Sequence, residues 1–121
     1  MLKLSSLTLF VRNLKQASQF YQQGLKLNLI SRTEDCILLK APCVDLFISL
    51  QQATQESHLS TGYSPLINFI FKTGIDETIH KLIELGASLD GHIFYDTQGK
   101  SATLRAPDGH MIGLYQPEDS L

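Results

Sequence analysis

The chain has 121 residues, 43% of them hydrophobic and 18% charged, with a net charge of -2. This length and composition predict one soluble globular domain that buries roughly two thirds of its unfolded surface. Lys and Arg are scattered, which excludes the basic stripe of a nucleic-acid partner, and no apolar run approaches the length of a membrane span.

The opening Met1-Leu2-Lys3-Leu4-Ser5-Ser6-Leu7 lacks the long apolar region and small-residue cleavage site of a signal peptide, so the expected compartment is the cytoplasm. Leu4 to Val11 alternates, with Ser6, Thr8 and Phe10 on one face and Leu7, Leu9 and Val11 on the other, the period of a half-buried strand. Asn13 is placed to cap a helix with Gln16 as its capping-box partner. Leu14, Ala17, Phe20 and Tyr21 follow at helical spacing, and Gly24 stands where a C-cap belongs. Leu27 to Thr33, Cys36 to Ala41 and Val44 to Leu50 read as strands. Cys36 and Cys43 are too few, and too near a turn, for a disulfide framework or a zinc site; two reduced thiols are expected. Residues 51–62 are polar and form a linker containing His58, expected to be solvated.

After the linker the order repeats. Ser64 to Lys72 alternates, with Leu66, Asn68 and Ile70 opposite Ile67, Phe69 and Phe71. Thr73 can cap a second helix whose stripe is Ile75, Ile79, Leu82 and Ile83, with Gly86 as its stop. Leu89 to Tyr95 is a strand broken by Gly91, and Lys100 to Ala106 and His110 to Tyr115 flank Pro107-Asp108-Gly109. That tripeptide is a hairpin turn: Pro presets φ, Asp bonds its own backbone, and Gly accepts a positive φ. Lys40-Ala41-Pro42 echoes Arg105-Ala106-Pro107, and Gly24 and Leu27 echo Gly86 and Leu89, at an offset of roughly 60 to 65 residues. The expected organisation is a single domain of module 1–50, linker 51–62 and module 63–121. The fold class is α+β: two tandem βαβββ modules forming a curved mixed sheet around a cavity.

Leu9-Phe10-Val11-Arg12-Asn13-Leu14, Ser18-Gln19-Phe20-Tyr21, Gly24-Leu25 and Ala106-Pro107-Asp108-Gly109-His110-Met111-Ile112-Gly113-Leu114 together resemble the vicinal oxygen chelate superfamily. This is the superfamily of glyoxalase I, bleomycin- and fosfomycin-resistance proteins and extradiol dioxygenases. The resemblance spans nearly the whole chain. It implies a divalent ion held by inward residues of the first, fourth, fifth and eighth strands. Carried over, those positions fall on Ser6, Ile48, Leu66 and Gly113, which supply one hydroxyl and no imidazole or carboxylate. No paired His/Glu spacing replaces them, and His110 and His80 are expected at the surface. The expectation is therefore no metal and no cofactor.

What remains is a concave, partly apolar site of the kind that binds small molecules. Its candidate ligand-binding residues are Ser6, Thr8, Phe10, Ile48, Leu66, Asn68, Arg105, Met111, Gly113 and Tyr115, with Ile70 beside them. The resemblance implies a bleomycin-resistance-like role: metal-independent binding of a small, partly apolar organic molecule, for resistance or sequestration. The alternatives are a superfamily enzyme (lyase, isomerase or dioxygenase) with an atypical metal site, or with Tyr115 and His92 as acid and base, and an interaction module whose cavity is filled by its own side chains. No nucleophile–base pair is visible, so no catalytic residue is assigned. The family resemblance further implies a homodimer; no nucleic acid and no membrane are expected as partners.

Overall fold

The alternation at the start of the chain becomes strand β1 (Ser6–Val11), with Leu9 and Val11 buried and Ser6 and Thr8 exposed. The computed structural model describes residues 2–59 and 62–118, and the chain divides into two compact units, Met1–Ser60 and Thr61–Leu121. Each unit is a mixed sheet with a helix on one face, so the chain is an α+β protein of two tandem βαβββ modules. Among the described residues no helix is long and apolar enough to cross a membrane.

In the first unit helix α1 (Leu14–Gln19) starts as its cap dictates, the Gln16 N–H donating to Asn13 Oδ1 at 3.0 Å. It continues into one π turn, Phe20–Gly24. In that wider turn successive side chains diverge less, and both Phe20 and Tyr21 are wholly buried, their rings edge to face at 5.2 Å. The left-handed residue that ends the helix is Lys26, at φ 63°, and not Gly24, which is buried inside the π turn. Strands β2 (Asn28–Arg32), β3 (Cys36–Lys40) and β4 (Phe47–Gln52) follow, and the sheet order is β1-β4-β3-β2 with β1 and β4 parallel. Register places Ile48 opposite Leu7 and Leu39, and Leu50 opposite Leu9 and Ile37. These residues form the face packed under α1.

The second unit repeats the plan with β5 (Leu66–Ile70), α2 (Ile75–Glu84), β6 (Ser88–Leu89), β7 (Phe94–Asp96), β8 (Gly99–Arg105) and β9 (Met111–Pro117). The order is β5-β9-β8-β6, with β7 also pairing β8. The strand expected over Leu89 to Tyr95 is thus two short ones, separated where Gly91 takes φ 82°. Ile75, Ile79 and Leu82 bury the stripe of α2, whereas Ile83 lies at its exposed margin. The residue that caps α2 is Gly74, in the left-handed region at φ 91°, and not Thr73. A glycine has no side-chain acceptor, and the free Ile75 N–H donates instead to Gln116 Oε1 of β9 at 2.9 Å.

The Pro-Asp-Gly hairpin forms as its residues require. The Gly109 N–H donates to the Ala106 carbonyl at 2.9 Å, Gly109 adopts φ 93°, and Asp108 Oδ1 accepts the His110 N–H at 3.1 Å. His110, expected at the surface, is buried, its Nδ1 lying 3.3 Å from Asp108 Oδ2. The parity expected of it, shared with Ile112 and Leu114, is right; the aspartate of the turn gives the imidazole a polar neighbour away from water.

Candidate functional site

Each sheet has one face under a helix and one face without one. On the uncovered face of the first sheet stand Ser6, Thr8 and Phe10 of β1 beside Phe47 and Ser49 of β4 and Leu38 of β3. Ser49 Oγ lies 3.2 Å from Cys36 Sγ on the same face. Phe10 is half-buried because the polar segment folds back over it, with the His58 ring at 4.9 Å. An ion pair holds that segment: Arg12 donates to both Glu56 oxygens, at 2.8 and 3.1 Å. The guanidinium holds the Glu56 carboxyl below its usual range, first by hydrogen bonding and then by charge. His58, expected in solvent, is therefore half-buried, and its Nδ1 is shielded without a hydrogen-bond partner among the described residues.

On the uncovered face of the second sheet, Leu66, Asn68 and Ile70 of β5 lie opposite Met111, Gly113 and Tyr115 of β9, which lie opposite Arg105, Thr103 and Ser101 of β8. β7 extends the last row with Phe94, opposite Ser101. Across four strands this row runs Ile70, Tyr115, Ser101 and Phe94, and its three large side chains are open to solvent, Ile70 73% exposed, Phe94 63% and Tyr115 38%. The Tyr115 hydroxyl donates to the Gln98 carbonyl at 3.0 Å, which commits its proton to the backbone. Arg105 donates to the Gly109 carbonyl at 2.8 Å and braces the hairpin.

Asn68 is the polar centre of this face. Its Nδ2 donates to the Leu66 carbonyl across a long 3.5 Å. A Cβ built on the in-register Gly113 would overlap the Asn68 carboxamide oxygen and lie 3.3 Å from its Cγ. The space that a side chain at 113 would enter is thus filled by the amide of its neighbour.

Most of the expected residues share the face assigned to them. Ile48 does not. It is 2% exposed and lies on the helix-covered face, and the cause is loop length. Lys40 pairs Phe47 across the first turn, whereas Arg105 pairs Met111 across the second, so the first turn is one residue longer. That residue inverts parity, and the counterpart of Gly113 in the first module is Ser49. Met111 has the expected parity but is wholly buried, and offers no surface. Phe94 was missed because β7 is only three residues long, too short for an alternation to register. His92 lies exposed in the loop before it.

The donor set does not fit a divalent ion. Among the described residues no three His, Cys, Asp or Glu side chains come together. At the positions to which the family pattern carries, Ser6, Ser49 and Leu66 give two hydroxyls and a hydrocarbon, and at the fourth the Asn68 amide stands where a carboxylate on β9 would extend.

The two modules and their strand order define the vicinal oxygen chelate fold, and similar solved structures agree. A glyoxalase/bleomycin resistance protein/dioxygenase family enzyme from Burkholderia phytofirmans matches with TM-score 0.81 at 20% identity, covering 97% of this chain and 100% of that one. The fosfomycin resistance protein FosX from Listeria monocytogenes matches with TM-score 0.79 at 19% identity, over 100% of this chain and 95% of that one. TnmS3, an antibiotic binding protein from a Streptomyces species, matches with TM-score 0.72 at 19% identity, over 98% of each chain. No protein-family model matches the sequence, and no curated protein matches it. At these identities the likeness is one of fold.

Proposed function

We propose that this protein binds a small, partly apolar organic molecule, without a metal, on the uncovered face of its second sheet, in a resistance or sequestration role. The observation that carries the reading is the pairing of Asn68 with Gly113. An amide with one long hydrogen bond has donor and acceptor capacity left over, and it sits in an apolar surround of Leu66 and Ile70. A few fixed polar groups among apolar side chains are what small-molecule recognition requires. Tyr115 and Phe94 supply aromatic surface at the end of the same face, and Arg105 stands at the other end, near the hairpin. The antibiotic-binding and fosfomycin-resistance proteins of the same fold support a ligand of antibiotic type.

The test is a titration of isotopically labelled protein, kept in chelator, with fosfomycin and a panel of aromatic antibiotics, following the Asn68 side-chain amide by NMR. The reading predicts saturable movement of that amide by a member of the panel, unchanged when zinc replaces the chelator. Binding that appears only with a divalent ion overturns the metal-independent mode. Movement confined to residues of the helix-covered faces overturns the site.

A further inference from the structure

We propose that the first module carries a second binding site, for a small organic carboxylate, in the cleft between α1 and the β2–β3 hairpin. The cleft has a volume of about 520 Å³, within the range of small-ligand pockets. It lies on the helix side of the first sheet, so it stands independently of the function proposed above.

A bulge builds it. Leu29 pairs Leu39 and Ser31 pairs Leu38, so Ile30 is an extra residue in β2. Bulges re-aim the side chains that follow them. Here the extra residue brings Arg32 opposite Ile37, a helix-side residue, where unbroken register would have set it opposite Cys36 on the other face. Arg32 and Ile37 both line the cleft, together with Leu14, Lys15 and Gln22 of the helical segment and Glu34 of the hairpin turn.

Three polar groups of this lining, on Gln22, Arg32 and Lys15, hold donors without an acceptor among the described residues. Gln22 Nε2 is buried with no hydrogen-bond partner among the described residues. Arg32 and Lys15 make no hydrogen bond or ion pair among the described residues. Two cations against the single Glu34 leave the lining with net positive charge. A guanidinium presents a planar fork that matches a carboxylate in bidentate fashion, and a buried amide N–H gains most from an acceptor that reaches it. Leu14 and Ile37 provide an apolar wall, which favours an organic anion over an inorganic one.

The probe is sodium benzoate, with benzamide as its neutral isostere and inorganic phosphate as the apolar-free anion, followed by NMR at the Gln22 side-chain amide. Saturable movement with benzoate, absent with benzamide and weaker with phosphate, is the expected result. Arg32→Gln, a change at an exposed residue, should weaken benzoate binding about tenfold, the loss of one charge-assisted contact, while leaving the thermal midpoint unchanged. Gln22→Leu, followed instead at the backbone amide of Ile37 in the same lining, should weaken it without altering the dependence on Arg32. The proposal is overturned if benzoate leaves Gln22 unmoved, if benzamide or phosphate acts as well as benzoate, or if Arg32→Gln has no effect. Movement at Asn68 instead would place benzoate on the uncovered face of the second sheet and likewise overturn this site.

Discussion

Replacing Gly113 by alanine tests the most specific feature of the uncovered sheet face. Gly113 sits in a strand, where alanine is intrinsically better by about 0.5–1 kcal/mol. Against that gain, the new Cβ overlaps the Asn68 amide oxygen, and the amide must leave its position. Asn68 is exposed and its one side-chain hydrogen bond among the described residues is 3.5 Å long, so leaving costs little more than an unfavourable rotamer, about 0.5–1.5 kcal/mol. Gly113→Ala alone should therefore lie between about 0.5 kcal/mol stabilising and about 1 kcal/mol destabilising. Asn68→Ala alone should stay within about 0.5 kcal/mol, as surface changes do. In the double variant the overlap is gone, and the alanine gain should emerge in full. The cycle, measured by urea denaturation at constant m, should give a coupling near 1 kcal/mol. Additivity within about 0.3 kcal/mol would refute the claim that the amide fills the space above Gly113.

Three further outcomes follow from the packing and the charges. Phe20→Ala removes a wholly buried ring from beneath the first helix and should cost about 3–5 kcal/mol by chemical denaturation. Gln116→Ala removes the acceptor of the Ile75 N–H at the glycine-capped start of α2; the expected loss is about 1 kcal/mol, with amide exchange of the first turn accelerated. The Glu56 carboxyl is depressed below its usual value of 4.5 by Arg12. Its contribution to stability is therefore complete above pH 4.5 and fades as pH falls through the lower folded value. Arg12→Gln should flatten that part of the acid melting profile and release the His58 ring from Phe10.

The parts of the fold that were legible in the sequence are those written in local chemistry. Asn13 and Gln16 announce a helix start, Pro107-Asp108-Gly109 a turn, and the alternation of β1 and β5 a covered and an uncovered face. Those signals survive because cap, turn and pleat depend on a few adjacent residues. What was lost depended on counting across loops. One extra residue in the first turn exchanged Ile48 for Ser49, and one extra residue in β2 turned Arg32 towards the helix. The π turn after α1 and the glycine cap of α2 were also silent: no residue of Phe20–Gly24 marks a π turn locally, and the cap depends on Gln116 across the unit. The candidate site was legible as a list of residues on one face. Its chemistry, an amide filling the room of a missing side chain, needed the register of two strands.

Metal independence is tested most directly by a thermal melt of chelator-treated protein with Ni²⁺, Zn²⁺, Mn²⁺ or Fe²⁺ added in turn. An ion bound at a hundredfold above its dissociation constant adds about 2.7 kcal/mol, a rise of roughly 8 °C for a domain of this size. An unchanged midpoint with all four ions is the result predicted for a protein whose strand positions offer hydroxyls and an amide. A rise of that size with any one of them would contradict it.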